Sequence, residues 1–244
     1  MPPFFVTVLF VLMSSSAWAA IDCVDANKVE FYDATPTDPE SIAYTVPNAT
    51  DRITFVGVGT RTGTQRTMTI TGASATWTEV ATPLYHDSII GVNLYYALNA
   101  TAGATTIGVN YNTAPLADMV IVWTCSGVNQ VTPFRTPVSA TGGNNTPTVT
   151  DGSVLTNDVI VDFWATDMSG SAATEPTVGA NQTVINAGHD GAEIRGGASY
   201  QAGTSGGGMS WTFDDLAQQW AIMATSLIPA STPSRTRIAP LVAQ

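Results

Sequence analysis

Residues 117–136 read ADMVIVWTCSGVNQVTPFRT, and their first half decides the fold. Residues 119–125 are an almost unbroken apolar run with β-branched and aromatic side chains, which fits a strand buried on both faces of a sandwich core. Periodicity alone also fits a buried helix, but the run is shorter than an average helix and Ser126-Gly127 stops it. Residues 128–133 then supply turn chemistry, and Thr136-Pro137 breaks the backbone again.

Moving outward, the same grammar repeats on both sides. In residues 88–98, Ile90, Val92, Leu94 and Tyr96 share one face by the period of two. Further strands are expected over residues 28–32, 51–60, 66–71, 73–80 (with Trp77) and 105–111. Residues 33–50 read as a loop rich in Pro, Asp and Thr. Downstream, residues 147–150 form a short edge-like piece. Residues 158–166 place Val159, Val161 and Phe163 on one face and Ile160, Asp162 and Trp164 on the other. Asp162, a charge inside a buried strand, must meet solvent, a partner or a cation. Residues 182–185, 193–201, 209–213 and 220–227 complete the set. Short strands between turn signals, with no helix-period segment and no βαβ alternation, predict an all-β antiparallel sandwich or jelly roll in a single domain. The sequence reading finds no internal repeat.

The totals bound the function. The 244-residue chain has a formal net charge of −11, and Lys28 is its only lysine, which speaks against a nucleic-acid partner needing clustered cations. Residues 1–19 are expected to be a secretory signal peptide. Residues 4–13 form its apolar stretch, Ala17-Trp18-Ala19 precedes the cleavage site, and the start departs from pattern in lacking Lys and Arg. Asp22 before Cys23 does not suit a lipoprotein signal. No later segment is long and apolar enough to anchor the mature chain as a transmembrane helix. Residues 20–229 are expected to be the sandwich, and residues 230–244, with Arg235 and Arg237, a flexible tail. The setting is therefore secreted, extracellular or cell-surface, where two cysteines predict one disulfide, Cys23–Cys125.

Chemistry is sparse. His86-Asp87 and His189-Asp190 lie in loops without the spacing of a zinc site, and no Gly-x-Ser-x-Gly elbow accompanies them. A glycosidase needs two carboxylates at close range, for which Asp162 and Glu193 are the imaginable pair. A structural Ca²⁺ would draw on Asp214-Asp215 or on Asp151, Asn157 and Asp158. No catalytic, cofactor or metal residue is assigned. Tyr95 and Trp164, off the main apolar faces of their strands, are the candidates for stacking a sugar.

Four pieces in order carry a resemblance: Ala75-Thr76-Trp77, Leu94-Tyr95-Tyr96-Ala97-Leu98-Asn99, the turn GVNQVTP at residues 127–133, and the closing QWAIMATSLIP at residues 219–229. Together they resemble a group of bacterial and phage-associated secreted or surface β-sandwich domains of unknown function. The likeness spans about residues 51–229 and implies the fold and an extracellular setting, with no activity to transfer. The expectation is an exported, non-enzymatic protein that binds or assembles at a cell or virion surface, with itself or a surface glycan as partner. The alternative is a glycan-binding or glycan-hydrolysing jelly roll.

Overall fold

The computed structural model describes residues 20–168, 175–204, 206–213 and 218–231. The expected signal peptide, Asp214-Asp215 and the tail beyond Ser231 lie outside them. The protein is an all-β, antiparallel sandwich and a single domain. The N-terminal half contains β1 (Val29–Asp33), β2 (Glu40–Val46), β3 (Ile53–Arg61), β4 (Met68–Thr71), β5 (Thr78–Glu79), β6 (Leu84–His86), β7 (Ile90–Leu98), β8 (Gly103–Tyr111) and β9 (Ala117–Cys125). The C-terminal half contains β10 (Val138–Gly142), β11 (Thr148–Thr150), β12 (Val159–Asp167), β13 (Thr177–Val178), β14 (Thr183–His189), β15 (Ile194–Ala202), β16 (Gly208–Thr212) and β17 (Trp220–Leu227).

The two halves have one topology. The N-terminal inner sheet runs β1-β9-β3-β7-β5, with β6 also on β7, and its outer sheet runs β2-β8-β4. The C-terminal inner sheet runs β10-β17-β12-β15-β14, and its outer sheet runs β11-β16-β13. Strand for strand these are the same wrapping, in which the first strand joins the last and the next-to-last crosses to the other sheet, as in a jelly roll. The chain is thus two jelly-roll repeats, where the sequence reading had found none.

Four layers result, with the inner sheets face to face in the middle. Their shared core includes Phe55, Leu94, Met119, Ile121, Trp123, Phe163, Ala198 and Met223. A second core lies between the N-terminal inner and outer sheets, around Val56, Val58, Val120 and Val122 against Ile42, Tyr44, Ile107 and Val109. A third lies in the C-terminal repeat, around Ile160, Trp164 and Ile222 against Met209, Trp211 and Phe213. An inner strand therefore meets apolar layers on both sides, which is why residues 119–125 show no polar alternation. The outer strand β2 has one wet face and alternates cleanly, Ile42, Tyr44 and Val46 inward. It was read as loop because Pro39 and Pro47 bracket it. The sequence reading likewise does not predict β6, β10 and β13, and residues 73–80 pair only over β5.

Strand register fixes which residues are equivalent. Ile53 opposes Cys125 and Leu98, and Val159 opposes Leu227 and Ala202. Stepping along β3 and β12, Gly57 corresponds to Phe163, Gly59 to Ala165 and Arg61 to Asp167. These equivalents meet each other across the seam. A Cβ on Gly57 would overlap the Phe163 ring, and one on Gly59 would lie 2.7 Å from the Ala165 Cβ. Arg61 Nε donates to Asp167 Oδ1 at 2.6 Å. Two identical residues cannot fill one space, so the halves differ where they touch.

The Cys23–Cys125 disulfide is present, with Cα atoms 4.1 Å apart and a sequence separation of 102. It ties the segment before β1 to the end of β9. Chain entropy gives such a loop about 4–5 kcal/mol of stabilisation.

Candidate functional site

One cluster of charged side chains lies at the end of the inner-sheet seam where β3 and β12 finish, and a separate ion pair, Arg135–Asp158, lies where β12 begins. Arg61 donates to Asp167 from β12 and, through Nη1, to Glu193 just before β15. Arg61, Thr62, Gly63, Ser88, Ile89, Leu116 and Asp167 line a cleft of about 310 Å³ beside it. Each repeat contributes a His-Asp turn at this end, His86-Asp87 after β6 and His189-Asp190 after β14. His86 Nε2 lies 3.3 Å from Asp87 Oδ2, and His189 Nε2 lies 3.7 Å from Glu175 Oε1. Gln219 of the C-terminal repeat donates to Asp87 of the N-terminal one at 3.3 Å.

This set does electrostatic fastening. One guanidinium engages two carboxylates from the opposite repeat, the reverse of a glycosidase pair in which one carboxyl is held neutral as an acid. Arg61 and Glu193 are partly exposed, so the contact contributes on the order of 1 kcal/mol or less. Arg61 was not singled out from sequence; its signal is its register equivalence to Asp167, which needs the repeat to be seen first.

The imagined pair of Asp162 and Glu193 is not brought together. Asp162 is on the outer face of β12, fully buried, accepting from Ser199 N at 2.7 Å, Ser199 Oγ at 2.7 Å and Trp211 Nε1 at 2.7 Å. Of the three fates open to a charge in that strand, it took a protein partner. Burial pushes its carboxyl up to about 7, against the opposing pull of those donors.

The stacking candidates are corrected by burial. Trp164 is 0% exposed and stacks on Phe213 with ring centroids 5.6 Å apart. Tyr95 is 5% exposed, and its hydroxyl donates to Glu79 at 3.0 Å. Both point away from the main core, as their strand positions require, but the outer sheets cover that side. Neither presents a face to a sugar.

Of the acids named for Ca²⁺, the two described ones accept from protein donors. Asp151 accepts from Ser153 N at 2.8 Å and Ser226 Oγ at 2.5 Å. Asp158 accepts from Arg135 Nε at 3.0 Å and Leu155 N at 2.8 Å. Among the described residues, no three His, Cys, Asp or Glu side chains converge as a metal-holding group.

The opposite end of the seam carries the connection between repeats. Gly127, at φ 73°, opens the GVNQVTP turn, and Asn129 Oδ1 accepts from Val131 N at 2.9 Å and Thr132 N at 3.0 Å. Its backbone bonds both halves: Val128 N donates to Asp51 O at 2.9 Å, and Asn129 N to Ile228 O at 2.8 Å. Ala20 packs against Gly127 so closely that a Cβ there would collide with the Ala20 carbonyl. Ala230 N donates to Gly127 O at 2.7 Å, so the packed sandwich runs past Pro229. Val131, at the tip of the turn, is 89% exposed. No helix among the described residues is long and apolar enough to cross a membrane. No family model, curated protein or solved structure matches this chain.

Proposed function

We propose that this is an exported, non-enzymatic sandwich that acts by assembly or binding at a cell or virion surface, within the bacterial and phage-associated group its motifs resemble. One observation carries the reading: Ala20, where the mature chain is expected to begin, and Ala230, at the entry to the C-terminal segment, both meet Gly127. Both ends of the described sandwich therefore lie together, beside the exposed Val131. A sandwich whose C-terminal segment follows on beside the start of the mature chain is suited to being held at that end, or to lending that segment to a neighbour's sheet. The remaining acids and aromatics described above serve the sandwich itself.

The test is light scattering after size exclusion on residues 20–244 and on residues 20–231. The reading predicts a defined oligomer or filament for the longer chain that collapses on truncation. A monomer in both forms contradicts assembly through the C-terminal arm. Edman sequencing of exported material is expected to begin at Ala20.

A further inference from the structure

Asp118 is the least satisfied acid in the molecule's described interior. It sits on β9, on the face covered by the outer sheet β2-β8-β4, and is 0% exposed. One oxygen, Oδ2, accepts from Tyr111 of β8 at 2.5 Å. The other, Oδ1, has no protein partner. Thr60, its register partner on β3, carries a buried Oγ1 that also has none. A buried acceptor without a donor is costly, and an ionised carboxylate in that position more so.

The charges around Asp118 make ionisation harder still. From β1 comes Asp33, its direct register partner, and from β2 comes Glu40. Asp38, before β2, accepts from Tyr111 N at 3.0 Å. From β8 comes the Tyr111 phenol, and from β3 only the neutral Thr60; Arg61 is committed to the opposite face with Asp167. Every ionisable neighbour is acidic or phenolic. Asp25 on the same layer shows the contrasting solution, accepting from Asn27 N, Thr124 N and the Tyr44 hydroxyl.

We infer that Asp118 is a proton-binding latch between the N-terminal inner and outer sheets: its carboxyl is neutral when the outer sheet is seated, and its ionisation as pH rises loosens that sheet. A proton on Oδ1 removes the charge from the orphan acceptor. Losing that proton to solvent leaves a carboxylate facing Asp33 and Glu40. Burial, with Glu40 and Asp33 behind it, holds the carboxyl up to about 7. A group raised in the folded state stabilises fully below its unfolded pKa of about 3.9, and that support is lost as pH rises toward 7. The N-terminal outer sheet is therefore firmest in acid.

Hydrogen exchange of the full chain at pH 5 and pH 8, corrected for intrinsic rates, tests this. Amides of β2 and β8 are expected to lose roughly 10- to 100-fold protection at pH 8; because burial raises Asp162 on β12 into the same range, the reference for this loss is the Asp118→Asn variant. Asp118→Asn is expected to remove the difference and to melt above the unsubstituted protein at pH 8. Equal protection of β2 and β8 at both pH values would overturn the inference, as would the same loss in Asp118→Asn. If that variant does not fold, the unsubstituted protein still decides, because loss of protection in β2 and β8 between the two pH values supports the inference and its absence overturns it.

Discussion

The two repeats wrap the same way but cover their inner sheets by different means. The N-terminal outer sheet uses long strands, β2 of 7 residues and β8 of 9, with Ile42, Val46, Ile107 and Val109 alternating inward beside Tyr44 and Tyr111. The C-terminal outer sheet is short, with β11 of 3 residues and β13 of 2, and it compensates with bulk. Trp211 and Phe213 lie on Trp164, at ring-centroid distances of 5.5 and 5.6 Å. Aromatic area thus replaces strand length, since one such side chain buries as much as two aliphatic ones. The buried acids differ in step. Asp162 in the C-terminal repeat is met by three donors, whereas Asp118 in the N-terminal repeat is met by one. Only the N-terminal repeat carries a disulfide, because the register equivalent of Cys125 is Leu227. A duplicated wrapping fixes topology and leaves the chemistry of each layer free.

The sharpest break of the comparison is at the seam. Gly57→Phe places a second ring where Phe163 already lies and is expected to abolish folding, by circular dichroism and solubility. The exchanged pair Gly57→Phe with Phe163→Gly is expected to recover folded protein, because it swaps knob and hole between equivalent positions. Failure to recover would mean that the surroundings of the two positions are not interchangeable.

Next in size is the staple peculiar to the N-terminal repeat. Replacing Cys23 and Cys125 by Ala is expected to cost about 4–5 kcal/mol in denaturant unfolding. A loss under about 1 kcal/mol would indicate a denatured state already constrained around residues 23–125.

The two buried acids are expected to answer the same substitution with opposite signs. Asp162→Asn turns one acceptor into an amide facing the donors of Ser199 and Trp211, and about 1–3 kcal/mol should be lost near pH 7. Asp118→Asn should be neutral or stabilising there. Equal losses in chemical unfolding would erase this difference between the repeats.

The smallest effect belongs to the fastening pair. Arg61→Asp alone is expected to cost about 1 kcal/mol, and adding Asp167→Arg should return part of it. Thermal unfolding of the two variants reads both terms, and the recovery should shrink with added salt.

Much of this fold was legible in the chain. The apolar run of β9, the alternation of β7 and the two faces of β12 are local signals, and the cysteine pair follows from compartment. The repeat was harder to see, although traces stand in the sequence. Thr50-Asp51-Arg52-Ile53 and Thr156-Asn157-Asp158-Val159 enter equivalent strands, with Asp51 and Asn157 both in the left-handed region at φ 50° and 81°. Tyr96 and Tyr200 are equivalent residues, and His86-Asp87 and His189-Asp190 end corresponding strands one residue out of register. The core positions hide the relation, because Gly57 and Phe163 fill one shared space and must differ. The burial of Tyr95 and Trp164 was illegible for another reason. Strand period separates two faces but does not say that a further sheet covers the second.

Calorimetry of the intact sandwich tests the central claim most directly, that the two repeats form one unit through a complementary seam. One transition is expected, with the calorimetric enthalpy equal to the van't Hoff enthalpy. Two separable transitions, each with about half the enthalpy, would show the repeats melting independently and would contradict it.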